Sequence, residues 1–229
     1  MLEIIRIHNE LLGTYGDRGN ADVLHYRAKL RRIRSRITDI SYVDPLPKMA
    51  DIYLLGGAED AAQLLSLTAL RKGKILKRAA DKGAVVLAIC AGFQILGSKY
   101  VTRDDEIAGL GLLDVTTTPG DKRLVGDIAV QTKLFQSPVT GFENHSSVTT
   151  LGEWVEAFGT VLQGNGNGVS GVDGAINGNV FGTYLHGPLL ARNPEFADLL
   201  LERATGAPIS SVDDELATQY ANWRRALIK

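Results

Sequence analysis

The stretch Ala84-Val-Val-Leu-Ala-Ile-Cys90-Ala-Gly92-Phe-Gln94 decides the fold of this 229-residue chain. After Gly83, six apolar residues run without a polar interruption, as a short strand does when it is buried on both faces of a parallel sheet. Ala91 to Leu96 then reads as the first turns of a helix. The chain's single cysteine therefore stands at a strand-to-helix corner, which lifts a side chain clear of the sheet as in a nucleophile elbow. The helix start aims free N–H groups and the positive end of its dipole at the sulfur, which favours a thiolate. A lone cysteine is ordinarily a small buried hydrophobe. The corner, with Ala91 and Gly92 leaving room for a ligand, favours a nucleophile here.

The flanking sequence extends the same rhythm. Leu2 to Ile7 reads as a strand, followed by the loop Gly13-Thr-Tyr-Gly16-Asp-Arg-Gly19-Asn20. Asn20 is a good N-cap for a helix running to about Ile33. Ile37 to Val43 and Asp51 to Leu55 read as strands, the second ending in Gly56-Gly57. Leu70 to Asp81 reads as an amphipathic helix closed by Gly83. Strands alternating with helices imply an α/β fold, a mostly parallel sheet with helices on both faces. Ligands bind such sheets at the carboxyl ends of the strands, where Gly56-Gly57 and Cys90 both fall.

The second half is richer in strand signals, at Gly111 to Thr118, Ile128 to Thr132, Gly141 to Val148 and Val180 to Tyr184. The glycines of Gln163-Gly-Asn-Gly-Asn-Gly168 and of Gly171 to Gly178 read as turn chemistry rather than a phosphate cradle, since no G-x-G-x-x-G joins a strand to a helix. Helices are expected over Pro194 to Ala204 and Asp213 to Leu227. No linker, repeat or low-complexity segment divides the chain, so residues 1–229 are expected to form one domain.

Composition narrows the classes. With charged residues at 22% and hydrophobic ones at 45%, this is an ordinary globular chain. A net charge of -1 provides no global field for nucleic acid or a membrane surface. One cysteine makes neither an internal disulfide nor a thiolate metal site, and suits a reducing cytoplasm. No apolar run approaches the roughly 20 residues of a membrane span, and Met1-Leu-Glu-Ile-Ile-Arg reads as a strand rather than a signal peptide. The cations Arg27, Lys29, Arg31, Arg32, Arg34 and Arg36 crowd the end of the first helix. They read as a solvated face near a helix C-terminus, with a docking patch for an acidic partner as the alternative.

A cysteine nucleophile needs a base. Among four histidines (His8, His25, His145, His186), His186 ends the apolar run of Val180-Phe-Gly-Thr-Tyr-Leu-His186-Gly-Pro188, which puts it at the same sheet edge as Cys90. His25 lies within a helix, and His145 in Gly141-Phe-Glu-Asn-His145 stands close enough in pattern to touch the site. An oxyanion needs backbone N–H donors. Ala91, after the nucleophile, offers one, and Gly57 is expected to offer the other.

Three motifs, Gly56-Gly57-Ala-Glu-Asp60, Ile89-Cys90-Ala-Gly92-Phe-Gln94 and Tyr184-Leu-His186-Gly187-Pro188, resemble those of the class I (triad) glutamine amidotransferases, whose fold is flavodoxin-like. Gly-Phe-Glu-x-His at Gly141 to His145 is similar to the cobyric acid synthase-like branch. Tyr15-Gly-Asp-Arg-Gly-Asn20 and the free-standing length resemble the small glutaminase subunits of lipid II isoglutaminyl synthase. The resemblance implies Cys90 and His186 as catalytic residues and no metal. It implies a glutamyl thioester, with L-glutamine held by Arg123 and Gln94. It also implies ammonia passed to MurT, a Mur ligase-like partner in a heterodimer, which would carry ATP and Mg and amidate D-glutamate of lipid II in peptidoglycan synthesis. Other homes for the same residues are a cobyrinate-type synthetase and a free-standing γ-glutamyl hydrolase. One position departs from the pattern: the acid of the usual His-x-Glu is replaced by Pro188. Glu143 or an acidic residue from the partner, the latter preferred, is expected to fill that role.

Overall fold

The computed structural model describes residues 1–102 and 105–228. Its first half runs β1 (Leu2–Ile7), α1 (Asn9–Leu12), α2 (Gly19–Leu30), β2 (Ser35–Ile40), β3 (Ile52–Leu55), α3 (Asp60–Leu70), α4 (Ile75–Asp81), β4 (Val85–Ile89) and α5 (Ala91–Leu96). The second half runs β5 (Lys99–Val101), β6 (Glu106–Ala108), β7 (Val115–Gln131), β8 (Val139–Leu151), β9 (Gly159–Gln163), β10 (Val172–Asp173), β11 (Ala175–Asn177), β12 (Val180–Thr183), α6 (Leu189–Arg192), α7 (Pro194–Thr205) and α8 (Glu215–Arg225).

The first sheet has the order β11-β12-β4-β3-β1-β2 and is parallel except for the β11–β12 pair. Strands β3, β4 and β12 are buried at every residue, as unbroken apolar runs demand, because helices cover both faces. The expected mostly parallel sheet is this one. The strand signals of the second half build a second sheet, β10-β9-β7-β5-β6 with β8 on β7, antiparallel apart from the β5–β7 pair. Its long strands alternate buried and exposed residues over much of their length, the pattern of a sheet wet on one side.

Local readings differ from the structure where glycine or proline misled. β7 is one strand from Val115 to Gln131 rather than two, and its register against β8 shifts between Pro119 and Leu124. A bulge absorbs the extra residues, so Arg123 stands on a bent strand and not on a free loop. The expected helix from Leu70 splits, because Gly73 (φ 74°) and Lys74 (φ 50°) are left-handed and break the turn before α4. α3 escaped the sequence reading. Its apolar residues lie all round the helix, so it lacks the two-faced pattern that marks a surface helix. Asn20 is not a cap either: it is buried inside α2, and its Oδ1 accepts from the Leu190 N–H at 3.0 Å, tying α2 to α6.

Arg27 and Arg31 leave the expected solvated face for buried ion pairs, whereas Lys29, Arg32, Arg34 and Arg36 are exposed as that reading has it. Arg27 is 5% exposed and donates to Asp198 at 2.6 Å and to Asp214 at 2.8 Å. Arg31 donates to Asp198 at 2.8 Å and to the Ser210 carbonyl at 2.7 Å. These bonds clamp α2 to α7 and to the start of α8, where Asp214 also caps the helix through the Ala217 N–H. Arg36 pairs with Glu3 across the β1–β2 edge. Removing one partner of a buried pair leaves the other charge stranded. Arg27→Ala should therefore lower stability by about 3 kcal/mol in urea denaturation, while Arg34→Ala, at an exposed position, should change it by less than about 0.5 kcal/mol.

Candidate active site

Cys90 has φ 52° and ψ -108°, a conformation an L-residue adopts only under strain that its surroundings enforce. Its N–H donates to the Thr183 carbonyl at 2.9 Å, which carries the β4–β12 pairing to the last residue before the turn. A Cβ on Gly92 would meet Leu55 Cβ at 2.7 Å, so only glycine lets α5 sit this close to the end of β3. The expected elbow is present, with Cys90 6% exposed.

His186 lies three residues beyond β12. Its backbone exchanges two hydrogen bonds with Phe142 of β8, at 2.8 and 3.0 Å, so both sheets fix it. Its Nδ1 is 2.8 Å from Asp17 Oδ2, and both side chains are 1% exposed. Its Nε2 is buried and has no hydrogen-bond partner among the described residues. Burial opposes the charged ring, but the hydrogen bond with Asp17 and the nearby Cys90 outweigh it and push the His186 pKa up to about 10. The acid beside the imidazole, expected to be Glu143 or a partner residue, is Asp17 of this chain.

The Tyr15 to Asn20 segment explains itself around this contact. Tyr15, at φ 61°, lays its ring 4.9 Å from the imidazole. A Cβ on Gly19 would meet Pro188 Cγ at 2.6 Å, and Asn20 holds Leu190. The segment wraps the turn that carries His186, which follows through a cis Gly187-Pro188 bond.

The other expected site residues fall as follows. Arg123 lines the pocket over Cys90, with Nε donating to Asn144 Oδ1 at 2.7 Å and Nη2 reaching the Tyr15 hydroxyl at 3.4 Å. Gln94 also lines it. Its Nε2 donates to Ser147 Oγ at 2.9 Å and to the Tyr184 hydroxyl at 3.2 Å, and its Oε1 accepts from Gln63 at 3.0 Å. His145 borders the pocket too, stacked on Tyr184 at 3.8 Å, and burial holds its pKa down to about 4, so it stays neutral. Ala91 opens α5, where N–H groups have no intrahelical partner. Gly57 has different work from that expected: its N–H donates to Asp17 Oδ2 at 3.0 Å. A Cβ there would strike His186 Cε1 at 2.6 Å, so this glycine makes room for the imidazole. Ala58, next in the chain, borders the pocket instead. Glu143 is a structural carboxylate, buried and held by the N–H groups of Asn165 and Gly166 and by the Asn165 side chain.

Asp173 supports the strand end that precedes His186. Its carboxyl accepts from the Thr183 hydroxyl and from the Tyr184 N–H. Burial raises its pKa to about 7. The pocket itself measures about 130 Å³, with Cys90 inside and the charged residues at its mouth. A larger cleft of about 400 Å³ between Lys77, Gly111, Trp154 and Asn179 lies at the opposite end of β4, away from Cys90.

With this geometry in place, comparison with known proteins is decisive. Residues 3–194 match the CobB/CobQ-like glutamine amidotransferase domain. The chain belongs to that family. It is 38% identical, over 95% of its own length and 92% of the relative's, to "Lipid II isoglutaminyl synthase (glutamine-hydrolyzing) subunit GatD" of Staphylococcus aureus. It is 36% identical to the subunit of the same name from Streptococcus pneumoniae, covering 89% of this chain and 80% of that one. Among solved structures, PurLQS from Thermotoga maritima matches with a TM-score of 0.62 over 90% of this chain and 98% of that one, at 16% identity. That likeness bears on the fold alone, an α/β architecture.

Two titrations check the site. In Asp17→Asn the imidazole loses its anionic partner while its burial remains. The His186 pKa, followed by NMR, should then fall from about 10 to below neutrality. For Asp173, the unfolded chain releases the proton near pH 4 and the native state keeps it to about pH 7, so native stability falls as pH rises through that window. Asp173→Asn keeps the neutral shape and should remove that slope, so its melting temperature should gain on wild type between pH 4 and pH 7.

Proposed function

We propose that this amidotransferase is the glutaminase subunit of a lipid II isoglutaminyl synthase. In this reading it hydrolyses L-glutamine and hands the ammonia to a MurT-type, ATP- and Mg-dependent Mur ligase subunit in a heterodimer. That partner amidates D-glutamate of lipid II to D-isoglutamine, in the cytoplasm. The observation that carries the reading is the Cys90 elbow facing a His186 imidazole anchored by Asp17. The 36 to 38% identity to two subunits named for this glutamine-hydrolysing synthase supports the assignment to that enzyme. Among the described residues no helix is long and apolar enough to cross a membrane.

The chemistry follows from the protonation state. A charged His186 beside Cys90 pairs with a thiolate, which attacks the carboxamide carbon of glutamine. The Ala91 N–H faces the oxygen that gains charge, with Ala58 at the neighbouring strand end. The imidazolium gives its proton to the departing nitrogen, ammonia leaves, and a γ-glutamyl thioester remains. His186, now neutral, takes a proton from water. The hydroxide adds to the thioester, the Cys90 sulfur leaves, and glutamate is released. Asp17 keeps the ring in one tautomer through both steps. The Arg123 guanidinium fork suits the α-carboxylate of the substrate, and Gln94 forms part of the wall beside it.

The test is reconstitution with the Mur ligase-like partner. Cys90→Ala should abolish glutamine-dependent amidation of lipid II. Ammonium at raised pH should restore it, because the partner needs only the nitrogen nucleophile. His186→Ala should cost nearly as much as Cys90→Ala, on the order of a thousandfold or more in kcat, and the double variant little more, since the pair acts as a unit. A complex that forms and binds ATP yet is not rescued by ammonium overturns the scheme.

A further inference from the structure

The pocket mouth carries two carboxylates, Glu59 and Asp60, that the glutaminase reaction does not yet use. Cys90 sits at the buried floor, while Arg123, Glu59 and Asp60 are exposed at the mouth. An α-amino acid presents a carboxylate and an ammonium at the same end, so a rim holding both signs of charge matches a zwitterion whose tail points to the floor. An ammonium has only donors and needs acceptors. Two neutral acceptors in the pocket are already engaged, Asn144 Oδ1 by Arg123 and Gln94 Oε1 by Gln63. Asp60 heads α3, where its charge complements the helix terminus, and its field is felt at Tyr100. Glu59 differs from these. It occupies the N-cap position of α3 with φ -82° and ψ 158°, but its side chain accepts no bond from the helix. Its carboxylate has no hydrogen bond or ion pair among the described residues, although it lines the pocket.

We infer that Glu59 is the acceptor for the α-ammonium of the substrate, opposite Arg123 on the α-carboxylate, and that it selects α-amino acid amides over amides lacking the amine. This deepens the glutaminase reading and rests on it. Arg123 alone would accept any carboxylate-bearing primary amide of the right length. Glu59 adds a charge-assisted contact that only the zwitterion can make. Because Glu59 gives α3 no cap, replacing it should leave the fold intact.

The experiment compares L-glutamine with glutaramate, which is glutamine without its α-amino group, using the full chain alone and with the partner. Glu59→Gln should lower kcat/KM for L-glutamine by about tenfold to a hundredfold, mostly through KM, and leave glutaramate within about twofold. Calorimetry on Cys90→Ala provides a second readout: it should bind L-glutamine more tightly than glutaramate, and adding Glu59→Gln should erase the difference. Equal losses on both substrates, or unchanged glutamine kinetics and binding, overturn the subsite and leave the glutaminase reading standing. If the wild-type chain neither binds L-glutamine nor releases ammonia from it in either form, the glutaminase reading falls and the subsite with it.

Discussion

The structure is organised around a buried carboxylate and a buried imidazole in contact, Asp17 and His186, 169 residues apart in sequence. Each is expensive to bury alone and tolerable only because the other is there. Much of the local architecture serves this pair. Gly57 lacks a side chain so that the ring can approach, and its amide gives the same Asp17 oxygen a second donor. Tyr15 covers the ring from outside, and the Phe142 backbone holds it from the second sheet. The other Asp17 oxygen and His186 Nε2 have no hydrogen-bond partner among the described residues.

The two sheets divide the labour. The parallel sheet brings β3, β4 and β12 side by side in tight register, so the ends of three strands deliver Gly57, Cys90 and the His186 segment to one edge. The antiparallel sheet builds the wall opposite. Its β8 places Asn144, His145 and Ser147 against the pocket, and the bulge in β7 turns Arg123 toward Asn144. Behind that wall Glu143 fastens the glycine-rich turn at Asn165 and Gly166, where left-handed backbone at Gly164, Gly166 and Gly168 leads the chain round the carboxylate.

Charge elsewhere in the molecule is used for assembly. Arg27 and Arg31 look like surface cations in sequence because their acids, Asp198 and Asp214, are more than 160 residues away. Once paired, they join the first α/β unit to the C-terminal helices. The α-helical end of the chain thereby braces α2, whose Asn20 in turn anchors the turn after His186.

The sequence by itself determined what is local. Unbroken apolar runs marked the core strands, because a strand covered on both faces has no polar position. The small residues after Cys90 marked the elbow, because only they permit the corner. The apolar run ending in His186 placed it at the same edge, and the family motifs named the chemistry. Tertiary structure decided the rest. Asp17 sits in a polar loop with no pattern of its own, and its role exists only where β1's loop meets the end of β12. The nearest signal was the Tyr15 to Asn20 motif, which marked the segment but not which residue acts. Gly57 read as an oxyanion donor because its neighbours suggested it, yet a hydrogen bond has a direction that spacing does not encode, and this one points to Asp17. α3 stayed hidden because its exposed face carries Leu64 and Leu65 while Gln63 and Ser66 are buried, which blurs the periodicity, and β7 because a bulge mimics a turn. Single residues near in sequence could be read from propensity and pattern, whereas pairs brought together by the fold depend on geometry that no local window contains.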